Sequence, residues 1–281
     1  MAKMLGNVMS WIDDTEKNPP KSVWVNINQR SVHAHYWSYS DCVTIVFIHG
    51  AIANNVWWQH IASKLHVGRV LSISLSGHGR SSHHPPYSLH QHACEVQELL
   101  EIYGQGPIIL IGHSYGGAVA ALVAANVEIQ QVVMVDTPFD VALESKPPSS
   151  RLYQKPVYTT LKEALKHFKP LPHQPVKDAE LLAWVGQQSV VKTDNGYTWQ
   201  FDPLFHQREV LDNDIEQVKQ VLPTAQYWYG ELSPFASNAA LGLAKTMGMS
   251  LLEIPKAYHA VTLDNPRFLL ENIQRLLDDF K

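Results

Sequence analysis

Eight short stretches of the chain are dense in Val, Ile, Leu and aromatic residues and read as strands: "SVWVNIN" (22–28), "SVHAHYWSY" (31–39), "VTIVFIHG" (43–50), "RVLSISL" (69–75), "PIILIGH" (107–113), "QVVMVD" (131–136), "TAQYWYG" (224–230) and "SLLEIP" (250–255). From residue 60 onward they alternate with apolar positions at helical spacing, as in "HQHACEVQELLEIYG" (90–104) and "GGAVAALVAANV" (116–127). Strands alternating with helices predict an α/β fold, a mostly parallel sheet with helices on both faces. The alternation stops between Asp136 and Pro223, where helical patterns recur in "TTLKEALKHF", "DAELLAWVGQQ" and "DNDIEQVKQVL" without a convincing buried strand. This predicts a core of residues 22–136 and 223–281 interrupted by a helical cap, or lid, at 137–222. An N-terminal arm, 1–21, precedes it. Met4, Leu5, Val8, Met9 and Ile12 fall at helical spacing there. The arm is expected to pack on its own domain as a short amphipathic helix, the alternative being a membrane or partner surface.

Composition narrows the class. With 281 residues, 45% of them hydrophobic, the chain can bury a full core. A net charge of -4 and no basic run interleaved with aromatics argue against nucleic acid as a partner. The two cysteines, Cys42 and Cys94, have neither metal-ligand nor C-x-x-C spacing, which suits a reducing cytoplasm. No apolar run reaches the roughly 18 residues of a membrane span, and Asp13-Asp14 come too early for a signal peptide. A cytoplasmic protein is expected, as monomer or homodimer. The histidines at 33, 35, 83, 84, 90 and 92 lack an accompanying carboxylate motif, so no metal site is expected. "GQGPI" (104–108) precedes a strand, the wrong order for phosphate binding.

One segment carries chemistry. "PIILIGH" runs into Ser114-Tyr115-Gly116-Gly117, so a serine between two glycines sits between a strand and a small-residue helix. Such a sharp turn projects the hydroxyl off the sheet edge and sets the Tyr115 N–H near a helix N-terminus. A nucleophilic serine needs a second oxyanion donor, a base and an acid. His49-Gly50 would turn the Ala51 N–H toward the same point. His259, after the last strand and before the last helix, is placed as the base. His113, beside the serine, is read as a packing residue on the far side of the elbow that also borders the substrate pocket.

The order of H-G loop, "SLSGHGRSS", G-x-S-x-G, "VVMVD", lid, "YGELSPF" and "AYHAVTLDNP" closely resembles the α/β-hydrolase fold superfamily over residues 22–281. The resemblance implies an eight-stranded, mostly parallel sheet, a cap after the sixth strand, a Ser, acid, His chain order and no cofactor. Two positions depart from it. Ser74 stands where aspartate is usual. In the seventh-strand loop, where the family often carries its acid, the residue three after Gly230 is Ser233, which cannot serve. Some members take the acid from the end of the sixth strand, and small bacterial esterases of the YbfF type pair an Asp there with a G-x-x-S-P-aromatic loop, as Asp136 and Gly230 to Phe235 do here. Asp136 is therefore favoured, with Glu231 as the alternative acid.

The expected activity is hydrolysis of an apolar small-molecule ester, thioester or lactone through an acyl-enzyme. A serine nucleophile disfavours the family's epoxide-hydrolase and dehalogenase chemistries. Three alternatives stay open: a cofactor-independent dioxygenase, a carbon-carbon bond hydrolase, and a ligand-binding signalling protein with a slow triad. Aromatics crowd the lid and facing loops, Tyr153 among them. Trp57, Trp58, Trp184 and Phe235, with His113, are expected to wall the pocket.

Overall fold

The computed structural model describes residues 9–138 and 155–280. The chain enters through α1 (Met9–Lys17), β1 (Lys21–Ile27) and β2 (Arg30–Ser38), then runs through β3 (Thr44–Ile48), α2 (Val56–Ala62) and β4 (Arg69–Ser74). Next come α3 (Leu89–Tyr103), β5 (Ile108–His113), α4 (Tyr115–Ala124) and β6 (Gln131–Val135). Before the sheet resumes, the chain forms α5 (Leu161–His167), α6 (Ala179–Ser189), β7 (Val190–Thr193), β8 (Gly196–Trp199) and α7 (Asp212–Val221). It closes with β9 (Gln226–Gly230), α8 (Asn238–Thr246), β10 (Ser250–Ile254), α9 (Val261–Asp264) and α10 (Pro266–Leu276).

The eight stretches read as strands from the sequence form one sheet in the order β1-β2-β4-β3-β5-β6-β9-β10. Only the β1-β2 and β2-β4 pairings are antiparallel. Because side chains alternate along a strand, β3 sends Val46 and Ile48 into one buried cluster with α3 and α4, and Ile45 and Phe47 into another with α2 and α10. Every residue of β3 is buried. That two-faced burial is why its sequence is apolar without interruption. In register, Ile48 pairs with Gly112, and His113 with Val135. The residues following β3, β5 and β6 therefore leave the sheet at one carboxyl edge.

Two features of the stretch between β6 and β9 differ from the sequence reading. It contains a hairpin, β7-β8, joined through Asp194-Asn195. Its strands are four residues long, too short for a two-residue period to register, and Lys192 and Thr193 are exposed. Helix α7 packs back on the core, burying Val218 beside the α4 residues Leu122 and Val123. The stretch is tied to the loop after β4 by Gly79 N–H to Gln200 O (2.7 Å), Asp202 N–H to Gly77 O (2.7 Å) and Glu209 N–H to Tyr87 O (2.8 Å).

Helix α1 packs on the core. Trp11 of α1 meets the core face that holds Trp58 and Ile61, Asp14 pairs with Lys64, and Thr15 shares a 3.1 Å hydrogen bond with Ser63. Met4, Leu5 and Val8 lie outside the described residues, as does Tyr153. Among the described residues no helix is long and apolar enough to cross a membrane.

Candidate active site

Strand β5 ends at His113, and Ser114 follows with φ 52° and ψ -120° before α4 begins. A non-glycine residue in the left-handed region is strained by about 1–3 kcal/mol and persists only where its surroundings over-determine it. Here they do. The Ser114 N–H donates to Val135 O (2.8 Å), while its carbonyl accepts from Gly117 N–H and the Thr137 hydroxyl, both at 3.0 Å. The glycines are required by close approach. A Cβ on Gly112 would lie 2.1 Å from Gly116 O, and one on Gly116 would lie 2.4 Å from Ile48 O. Strand and helix cross with no room for a side chain at either point.

Asp136 also has a left-handed backbone, φ 48°, and is wholly buried. Its N–H donates to Trp228 O at 2.7 Å, so the β6-β9 pairing sets its position. Three donors meet its carboxylate: the Gly230 N–H on Oδ1 at 3.0 Å, and the Ser233 hydroxyl and His259 Nδ1–H on Oδ2, at 2.5 and 2.7 Å. Since a carboxylate accepts, the His259 proton sits on Nδ1 and Nε2 presents its lone pair. Sequence reasoning set Ser233 aside because serine cannot be an acid. Its hydroxyl instead donates to the Asp136 carboxylate.

The backbone around His259 is fixed from four sides. His113 Nε2–H donates to His259 O at 2.8 Å, and His60 Nε2–H to Thr262 O at 2.7 Å. The Ala260 N–H donates to Gln174 Oε1 at 2.9 Å, and the Tyr258 N–H to Asp264. The His113 ring lies 4.7 Å from the His259 ring rather than across the elbow from it.

Ser114, His113 and His259 line one cavity of about 510 Å³, together with Ala51, Trp57 and Phe235 and, from the stretch between β6 and β9, Phe168, Leu171, Trp199 and Phe201. Phe235 packs edge-on against His259 at 4.6 Å. The Ala51 N–H and the Tyr115 N–H have no protein acceptor among the described residues. The Tyr115 side chain turns away, its hydroxyl 2.8 Å from His92 Nδ1, leaving only its backbone at the elbow.

Three expected site residues are elsewhere. Trp58 lies under the sheet, stacked on Phe47 at 4.8 Å with its indole N–H on Ile48 O. Adjacent residues on a helix point about 100° apart, so with Trp57 facing the cavity Trp58 must face the core. Trp184 is buried between α6 and the core, with Val56, Leu181 and Leu263. Glu231 is exposed, and its Oε2 accepts the Lys256 N–H at 2.7 Å, away from His259.

Burial holds several imidazoles of this region neutral. His49 and His60 are pushed down to about 4, and His92 and His113 to about 3, in each case chiefly by burial. His49 bears its proton on Nδ1, toward Gly50 O, because Nε2 accepts the Leu75 N–H. Depressed values mean that the unfolded chain takes up protons first. Stability is then full above about pH 6.5 and is lost as the pH falls toward 4, each such imidazole adding up to about 1.4 kcal/mol per pH unit. Urea melts across that range are expected to show the decline, and His60→Gln to flatten it.

A model of the alpha/beta hydrolase family matches residues 45–272, and the chain belongs to that family. Among its relatives, lipase LipV of Mycobacterium tuberculosis is 31% identical over 113 residues, 40% of this chain and 43% of that protein. The mouse (Mus musculus) sn-1-specific diacylglycerol lipase ABHD11 is 34% identical over 97 residues, 33% of this chain and 32% of that one. The chain thus spans less than half the length of these curated relatives. Of solved structures, the thioesterase domain from the curacin biosynthetic pathway superposes with a TM-score of 0.76 at 19% identity, covering 92% of this chain and 100% of that one. An esterase of M. tuberculosis does so with 0.74 at 20%, covering 95% and 97%. At such identities the likeness shows the fold alone.

Proposed function

We propose that the protein is a serine hydrolase cleaving a carboxylic ester, thioester or lactone with a small to medium apolar acyl group. The observation that carries this reading is the 2.7 Å hydrogen bond from His259 Nδ1–H to the buried Asp136, which leaves Nε2 free in a molecule whose Ser114 lines the same cavity as His259. His259 Nε2 takes the Ser114 proton as Oγ attacks the acyl carbon, and the Ala51 and Tyr115 N–H groups receive the negative charge on the acyl oxygen. The C–O or C–S bond breaks and the alcohol or thiol leaves with the proton from His259. Water then attacks the acyl-serine, giving its proton to His259, which returns it to Ser114 as the acid departs. Asp136 holds the tautomer and stabilises the imidazolium. The stretch between β6 and α7 serves as the lid, and Trp57, His113 and Phe235 are the core-side pocket wall.

The names of the curated relatives, both lipases, support ester cleavage. A cavity of about 510 Å³ with aromatic walls suits a short to medium acyl chain. A p-nitrophenyl ester series from acetate to decanoate tests the reading. Turnover with an optimum at short to medium chains is expected. Absence of both burst and turnover on every ester would overturn it.

A further inference from the structure

The cavity has a chemically divided lining. Aromatic side chains line it, Trp57, Phe168, Trp199, Phe201 and Phe235, and among the described residues no aspartate or glutamate borders it. The end of α5 and the loop after it instead contribute His167, Lys169 and His173, all exposed to solvent while lining the cavity. Burial holds two of the other lining imidazoles neutral, pushing His206 down to about 4 and His113 to about 3. Lys169 has no ion-pair partner among the described residues. Between residues 155 and 177 the chain has five lysines against one glutamate, although the whole chain is at -4. That glutamate, Glu163, accepts the Thr159 hydroxyl at 3.0 Å.

The loop is also held in place. The His167 ring stacks on Tyr158 at 5.1 Å, and Gln174 bonds both the Ala260 N–H and Asp264. An unpaired cation at the rim of an apolar pocket adds nothing to the binding of a neutral ester. For a substrate with a negative end it supplies a charge-assisted partner and raises the local concentration of the anion.

We propose that the substrate is an apolar acyl ester or thioester bearing an anionic group, carboxylate or phosphate, that Lys169 receives at the cavity mouth between His167 and His173. This inference rests on the ester and thioester reading above. It commits to an anion on the substrate itself; the exposed Val157, Leu161, Leu171 and Val176 nearby make an anionic lipid surface the competing outcome.

Three S-butyryl thioesters share the acyl group and the scissile bond but differ in the thiol: N-acetylcysteamine is neutral, thioglycolate carries a carboxylate, and 4′-phosphopantetheine carries a phosphate. For the wild type, kcat/KM is expected to favour at least one anionic thioester over the neutral one by about tenfold. Lys169→Gln should bring that ratio down toward one, as should about 0.5 M NaCl. Lys166→Gln, outside the lining, should leave most of it. The preferred anionic substrate distinguishes carboxylate from phosphate. Equal kcat/KM for neutral and anionic thioesters, or a preference that survives Lys169→Gln, would overturn the inference while leaving the hydrolase reading intact. Binding of Ser114→Ala protein to phosphatidylglycerol vesicles, with no preference among the soluble thioesters, would overturn it in favour of a lipid surface. Failure to hydrolyse any thioester or p-nitrophenyl ester would strike the reading on which it rests.

Discussion

Ser114→Ala protein is expected to fold as the wild type does and to lose about 10⁵-fold or more in kcat on its best p-nitrophenyl ester. Folding is spared because alanine keeps the Cβ that already stands in the left-handed elbow, and because the contacts fixing the elbow are made by the backbone of residue 114. Activity is not, because no other side chain in the proposed mechanism attacks the acyl carbon to form the acyl-enzyme. Residues that act as one unit are strongly non-additive. Ser114→Ala combined with Asp136→Asn should therefore be no slower than Ser114→Ala alone. Kinetics and a urea melt on the same preparations check both halves.

Asp136→Asn is expected to cost about 10⁴-fold in kcat, and the local donors explain why so small a change costs so much. Three donors converge on the Asp136 carboxylate, and an asparagine nitrogen must oppose one of them. The Gly230 N–H is backbone and cannot reverse. Ser233 can turn its hydroxyl, and His259 can move its proton to Nε2. The amide nitrogen therefore settles on the Oδ2 side, and His259 takes the tautomer whose Nε2 has no lone pair for the Ser114 proton. Glu231→Gln touches none of this, since its oxygen faces the Lys256 N–H at the surface. It should stay within about twofold of wild type, as exposed substitutions usually do. A tenfold or greater loss in Glu231→Gln, with Asp136→Asn active, would move the acid to the seventh-strand loop.

Much of the fold was open to reading because strand burial leaves a continuous apolar record in β3, β5 and β6, and because the small residues of α4 mark a tight crossing over Gly112. The closeness of Asp136 to His259 could be reached through topology, since strands paired in register bring their ends to one edge. What stayed hidden follows from geometry that spacing does not encode. Trp57 and Trp58 are alike in kind, and only the rotation of α2 sends one to the cavity and the other to the core. Ser233 could not be found by asking which residue is acidic, because it acts by donating to the acid. The β7-β8 hairpin is too short to show a period. His167 at the end of α5 reaches the cavity with Lys169 and His173 from the irregular loop that follows, and no period marks such a wall.

The central claim is a covalent one, so the most direct measurement is covalent capture. Wild-type protein treated with a fluorophosphonate and mapped by peptide mass spectrometry is predicted to gain one phosphonyl adduct, on Ser114, with loss of esterase activity in proportion. Ser114→Ala should gain none, and Asp136→Asn should label far more slowly. An active wild type that takes no adduct, or an adduct that persists at another residue in Ser114→Ala, would contradict a Ser114 acyl-enzyme.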